Sequence, residues 1–137
     1  MAQLFTGTFR RSLDTKNRLL VPSEVRDALA PEDRAGFFLI PGSKCILVWP
    51  RSFLDSYTEQ QQAGDPLQRL AFNRSFYSQM IFRSFDGTGR IVLSGELAER
   101  FPGREAVLLG AGRYLELWDP EAWDPEALGR AIEPLDF

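Results

Sequence analysis

Histidine is absent from this 137-residue chain, and Cys45 is its single cysteine. Those shortages remove disulfides, thiolate zinc sites, imidazole metal ligands and every nucleophilic triad that needs a histidine base. The chain also lacks a run of about 18 apolar residues and a basic leader with an apolar stretch behind it, so the expectation is a protein of the reducing cytoplasm with no membrane partner. Basic residues are in deficit too: 16 Lys and Arg stand against 19 Asp and Glu, a net charge of −3. A nucleic-acid-binding domain usually carries the opposite balance. The deficit is local, however. After Arg113 the chain holds seven carboxylates against Arg130 alone, whereas Arg10, Arg11, Lys16 and Arg18 cluster early with only Asp14 among them. An acidic protein can therefore still present a positive face.

What the chain does possess is self-similarity. Ser12-Leu13-Asp14-Thr15-Lys16-Asn17-Arg18-Leu19-Leu20 returns as Ser84-Phe85-Asp86-Gly87-Thr88-Gly89-Arg90-Ile91-Val92, and the stretch from Gly36 to Trp49 is answered by that from Glu105 to Trp118. A spacing of roughly 70 residues exceeds the roughly 20–50 of a solenoid repeat, so the pattern reads as duplication of one small unit. Half of this chain would bury too little surface to stand alone. The halves are therefore expected to share one core or to lean on neighbouring subunits.

Local patterns place the elements. Leu4 to Arg11 alternates as a strand, and Arg18 to Val21 is its expected hairpin partner across the polar turn Asp14 to Asn17. In the second copy, Met80 to Phe85 and Arg90 to Leu93 flank a turn in which Gly87 and Gly89 supply φ > 0 freedom. Asn17 stands opposite Gly89 and is the non-glycine residue best suited to the left-handed region. Short helices are expected at Pro22 to Leu29 and at Ser94 to Phe101, with Pro22 at a helix start and Ser94 as N-cap. Each leads into a second hairpin: Phe37–Ile40 with Cys45–Trp49, and Ala106–Leu109 with Tyr114–Trp118. The stretch between the copies reads as a helix capped by Ser52 and running to about Gln62, then a second one capped by Asp65 with Pro66 at its first position. Another short helix is expected in the acidic segment after Trp118.

An isolated Asp-x-x-x-Arg carries no information in a chain of this length. Two copies at the same point of a repeat, each in a hairpin turn ahead of aliphatic residues, are a different matter. A guanidinium is always charged and offers a rigid donor fork suited to phosphate oxygens or to the O6/N7 edge of guanine, while a lysine is a less directional charge that suits phosphate. The aspartate can cap turn N–H groups or hold the arginine in place. From the residues alone, the pair can equally be an ion pair that merely ties the turn, which contributes little at a surface.

These residues resemble the MraZ family, whose two swapped-hairpin AbrB-like units each carry an Asp-x-x-x-Arg signature. The match includes Phe5-Thr6-Gly7, Leu13 to Arg18, Val21-Pro22, the central helical pair and Asp86 to Arg90. The family usually has glycine just before the first arginine, where this chain has Asn17. The resemblance implies an α+β fold of two tandem β-α-β units related by pseudo-twofold symmetry, at residues 7–54 and 83–126, with a helical linker at 55–82, a C-terminal helix and a tail at 127–137. It implies a non-enzymatic, sequence-specific regulator without cofactor, cytoplasmic and nucleoid-associated. Its partner would be double-stranded DNA, in tandem promoter repeats ahead of the division and cell-wall gene cluster, bound by a homo-oligomeric ring (octamer or dodecamer). Carried over by position, the DNA-binding residues would be Asp14, Lys16, Arg18, Asp86 and Arg90. Gly87 and Thr88 occupy the region of Lys16 in the second turn, which gives that turn a more structural character.

Other conspicuous residues have plainer readings. Arg10 and Arg11 read as solvated edge residues that discourage aggregation. Trp49 and Trp118, at matched strand ends, read as packing anchors, and Phe72, Phe76 and Tyr77 as linker-helix packing or subunit contact. Cys45, beside Ile46, Leu47 and Val48, reads as a small buried hydrophobe. Two rivals remain: a structural or protein-interaction ring, suggested by the net acidity, and an enzyme using Asp14 and Asp86, which lacks a nucleophile or metal constellation and any implied small-molecule substrate.

Overall fold

A computed structural model describes residues 3–60 and 64–126. It is a mixed helix and strand protein built on antiparallel sheet. In chain order the elements are β1 (Thr8–Ser12), β2 (Arg18–Leu20), α1 (Ser23–Asp27), a 3₁₀ turn (Pro31–Asp33), β3 (Gly36–Pro41), β4 (Ile46–Trp49), α2 (Arg51–Gln60), α3 (Pro66–Ser78), β5 (Ile81–Ser84), β6 (Arg90–Val92), α4 (Gly95–Ala98), β7 (Glu105–Gly110) and β8 (Leu115–Trp118).

The second hairpin of each half forms as its turn chemistry requires. Phe38 faces Trp49 and Pro41 faces Ile46 across β3–β4, while Val107 faces Trp118 and Gly110 faces Leu115 across β7–β8. The first hairpins do not form as expected. The arms of the first turn are joined by an isolated bridge between Leu13 and Leu19 and by the bond from the Asp14 N–H to the Arg18 carbonyl, and do not continue as a ladder. β1 instead pairs with β7, from Thr8 opposite Leu109 to Ser12 opposite Glu105, and β5 pairs with β3, from Gly36 opposite Ser84 to Leu39 opposite Ile81. The strands that leave the two turns, β2 and β6, pair with each other. A six-stranded sheet of order β1-β7-β8-β4-β3-β5 and a two-stranded ribbon β2-β6 result.

The physical reason lies in burial. Val21, Val25 and Leu29 from the first half and Ile91, Leu93, Leu97 and Phe101 from the second occupy one apolar cluster together with Leu13, Leu19 and Phe37. A local hairpin would leave each half with a single half-covered apolar face, whereas exchanged partners close one core. The strands that expose β1 and β5 as sheet edges carry Arg10, Arg11 and Arg83, and Arg10 is solvent-exposed at such an edge.

The small helices are shorter than expected. α1 begins after Pro22, which occupies the cap position, and ends at Asp27, with Ala28 and Leu29 closing on i−3 carbonyls. Ser94 sits at the cap of α4 but makes no side-chain capping bond. Asp65 does cap α3, accepting from the Leu67 N–H at 3.2 Å with Pro66 in the first turn. Ser52 does not cap α2, which already begins at Arg51. The capping carboxylate comes from the 3₁₀ turn: Asp33 accepts from the Ser52 N–H at 2.9 Å and from its hydroxyl at 2.6 Å. Asp33 is buried and also accepts from Gln3 Nε2 at 2.6 Å, so one carboxylate joins the start of the chain, the first half and α2.

The linker helices attach through rings. Trp49 contacts Phe53, Tyr57 and Phe76 at centroid distances of 4.7, 4.9 and 5.4 Å, and Phe72 stacks on Phe76 at 4.9 Å. Trp118 is buried against Trp123. The tryptophans are packing anchors, as their positions suggested. Residues 127–137 of the acidic segment in which the C-terminal helix is expected lie outside the described residues.

Asp33→Ala would strand the Ser52 and Gln3 donors. Loss of a buried, charge-assisted set of this kind costs about 2–3 kcal/mol, and a urea unfolding midpoint lowered to match is the expected outcome.

Candidate nucleic-acid interface

The two signature turns have one backbone design. The Asp14 N–H donates to the Arg18 carbonyl at 3.0 Å and the Asn17 N–H to the Asp14 carbonyl at 3.0 Å. In the second turn the Asp86 N–H reaches the Arg90 carbonyl at 2.9 Å and the Gly89 N–H the Asp86 carbonyl at 3.1 Å. Asn17 and Gly89 take φ of 60° and 84°. Asparagine thus adopts the left-handed conformation that its alignment with glycine demanded.

The aspartates fold back into their own turns. Asp14 Oδ1 accepts the N–H groups of Lys16 and Arg18 at 2.9 and 2.8 Å. Asp86 Oδ1 accepts those of Thr88 and Arg90, both at 2.9 Å, and the Thr88 hydroxyl at 2.8 Å. These donors favour the ionised form. The Arg90 N–H, followed by the Thr88 N–H and hydroxyl, holds the Asp86 carboxyl down at about 2. The Arg18 N–H is likewise the chief cause that lowers Asp14, helped by the Arg18 guanidinium.

The arginines differ. Arg18 Nε donates to Asp14 Oδ2 at 2.6 Å, and its Nη1 lies 3.8 Å from Asp86 Oδ2, so one guanidinium stands between both carboxylates with 35% of the side chain exposed. Arg90 bonds the Thr88 hydroxyl through Nη1 and forms no ion pair among the described residues. Lys16 is exposed at the tip of the first turn.

Pairing of β2 with β6 brings the two motifs together. Arg18 lies opposite Val92, Leu19 opposite Ile91 and Leu20 opposite Arg90. Leu19 and Ile91 are each 1% exposed and point into the core, so the alternating residues Arg18, Leu20, Arg90 and Val92 share the outer face. Leu20 and Val92 are exposed there at 36% and 42%. Two further bonds cross between the halves: the Val21 N–H reaches the Gly89 carbonyl at 3.0 Å, and the Leu93 N–H reaches the Asn17 carbonyl at 2.8 Å. All five residues anticipated from the sequence, Asp14, Lys16, Arg18, Asp86 and Arg90, therefore belong to two adjoining turns.

Two arginines near those turns were missed. Arg104 donates Nη1 to Asn17 Oδ1 at 2.7 Å and Nη2 to the Asp14 carbonyl at 2.5 Å. Arg26 donates Nε to the Val21 carbonyl at 3.0 Å and lies so close to Gly89 that a Cβ there would sit 2.5 Å from its Cζ. Neither arginine has an arginine at the matching point of the other copy, where Ala35 and Ala98 stand, so the repeat pattern gave no sign of them.

Among the described residues, no group of three or more His, Cys, Asp or Glu side chains is placed to hold a metal. No described helix is long and apolar enough to cross a membrane. Cys45 packs against Val107, Leu109 and Trp118, and burial pushes its thiol up to about 11.

Comparison with known proteins gives a consistent result. The family model described as "MraZ protein, putative antitoxin-like" matches residues 4–71 and 78–126. The chain is similar to the protein named Transcriptional regulator MraZ of Acidovorax sp. (strain JS42), 36% identical over 118 residues, which cover 85% of this chain and 82% of that one. It is also similar to the proteins of the same name from Verminephrobacter eiseniae (strain EF01-2), 33% identical with 94% of both chains covered, and Caulobacter vibrioides (strain NA1000 / CB15N), 33% identical with 87% and 79% covered.

Because the folded Asp86 carboxyl lies below its ordinary 3.8, the second turn is stabilised above that pH and loses the contribution as the pH falls toward about 2. Asp86→Asn is therefore expected to lower stability at neutral pH and to flatten its decline across that acid window. Urea midpoints measured through the window check this; parallel curves for the two proteins would contradict it.

Proposed function

The chain belongs to the MraZ family, and from that premise we propose that it is a sequence-specific DNA-binding transcriptional regulator. In this reading a homo-oligomeric ring presents Arg18, Lys16 and Arg90 to tandem repeats in the promoter upstream of the division and cell-wall gene cluster. The fold is that of two AbrB-like swapped-hairpin units, at residues 7–54 and 83–126, related by pseudo-twofold symmetry around the β2–β6 ribbon. The relatives are named as regulators, in keeping with a non-enzymatic protein that acts on the nucleoid.

The observation that carries the reading is the placement of Arg18 and Arg90 on one outward face, each with its turn already hydrogen-bonded into shape. A fixed guanidinium loses little freedom on meeting a phosphate or a guanine edge. Asp14 and Asp86 spend their lone pairs on turn N–H groups and on Arg18, so they preorganise the surface and do not read bases. One protomer offers few contacts, and its binding alone would be weak and salt-sensitive. A ring makes later contacts intramolecular and raises avidity by about 10²–10⁴-fold, provided that repeats recur near one helical turn of about 10 base pairs.

The exposed Leu20 and Val92 beside the arginines favour one second reading, a ring that docks protein on the same face. DNA binding separates the two. With duplex from directly upstream of its own coding region, Arg18→Ala is expected to weaken binding by at least about tenfold while native mass is unchanged. Wild-type affinity should fall steeply with salt. Undiminished binding by Arg18→Ala removes Arg18 from the interface, and a wild-type protein that fails to shift the duplex favours protein docking.

A further inference from the structure

We propose that Arg104 is a positioning residue for DNA contact, which braces the Arg18 turn from the opposite half of the chain through Asn17. The proposal rests on the reading of Arg18 as a DNA ligand.

Three bonds from one residue gird this turn. The Arg104 guanidinium donates to Asn17 Oδ1 and to the Asp14 carbonyl, and the Arg104 carbonyl accepts the Leu13 N–H at 2.8 Å. The residues held are the one that enters the turn, the one whose carboxylate fixes Arg18, and the left-handed one that closes it. Asp14 grips Arg18 through both its backbone N–H and its Nε. A shift of the Asp14 backbone therefore moves the guanidinium that is to meet DNA.

The brace also explains two local departures. Arg104 has φ of 62°, in the left-handed region where glycine alone is free of strain. A glycine would carry the chain through that point more easily, but it would have no side chain to reach the turn. Asn17 tolerates the same region and adds an acceptor that a glycine could not supply. The second turn is supported differently: the Arg26 guanidinium lies against Gly89, where a Cβ has no room. Arginines from non-matching positions thus stand at the two turns, and among the bonds described that of Arg104 to Asn17 Oδ1 runs through a side-chain acceptor of the turn.

Both braced positions are left-handed, so glycine fits the backbone at each and the variants are expected to fold. The test uses the full chain, the duplex from directly upstream of its coding region, and four variants: Arg104→Gly, Asn17→Gly, their double, and Arg104→Lys, with Arg18→Ala as control. Arg104→Gly is expected to bind about five- to tenfold more weakly, with an unchanged slope of log affinity against log salt and an unfolding midpoint equal to or above that of the parent. The double variant should bind no more weakly than Arg104→Gly, and lysine should restore part of the loss. Parental affinity for Arg104→Gly overturns the proposal. So does a salt slope reduced by about one unit, which makes Arg104 a phosphate contact in its own right. Additive losses in the double variant, or a loss of affinity that tracks a loss of stability, also overturn it. If Arg18→Ala itself keeps parental affinity, the failure lies with the DNA-binding reading.

Discussion

The bonds from the Val21 N–H to the Gly89 carbonyl and from the Leu93 N–H to the Asn17 carbonyl hold the two turns side by side. Each uses the carbonyl of a left-handed residue, Gly89 or Asn17, as its acceptor. A backbone acceptor left dry at the rim of a core is costly. The cheapest remedy is the first N–H of the other copy's following segment. Once those two bonds exist, β2 must run beside β6, Leu19 and Ile91 must face inward together, and Arg18 and Arg90 must face outward together.

Electrostatics then follow from geometry. Both aspartates lie within reach of several donors in their own turns, which hold both carboxyls below their ordinary value, Asp86 down at about 2. Their charge is directed at donors of their own turns, and among the described residues Arg18 is the one cation paired with them. Lys16 and Arg90 keep their charge for the exterior. An acidic protein can in this way present a cationic ridge, because net charge counts groups and not the directions in which they point.

Much of this was legible in the residues. Pro41-Gly42-Ser43-Lys44 and Gly110-Ala111-Gly112-Arg113 are short turns that return the chain directly on itself, so β3–β4 and β7–β8 could be read locally. Asp65-Pro66 announced α3, and Asn17 announced its own backbone conformation. The pairing of β1 with β7 could not be read this way. In a duplicated chain every strand has two partners of nearly equal pattern, and the choice is made by total burial, which no window of sequence contains. Ser52 was misjudged for a related reason: its capping carboxylate, Asp33, arrives from another element. At the candidate site the signature residues were visible because they recur. Arg104 and Arg26 were invisible because they do not.

A symmetric complex of two identical chains alters both of its surfaces with every substitution. Here the corresponding turns are carried on one polypeptide, and their differences are already in place: Lys16 against Thr88, Asn17 against Gly89, an arginine between two carboxylates against one tied to a hydroxyl. Covalent linkage has released the turns from having to match. Each can be tuned independently of the other within the same chain, which gives the molecule a front and a back.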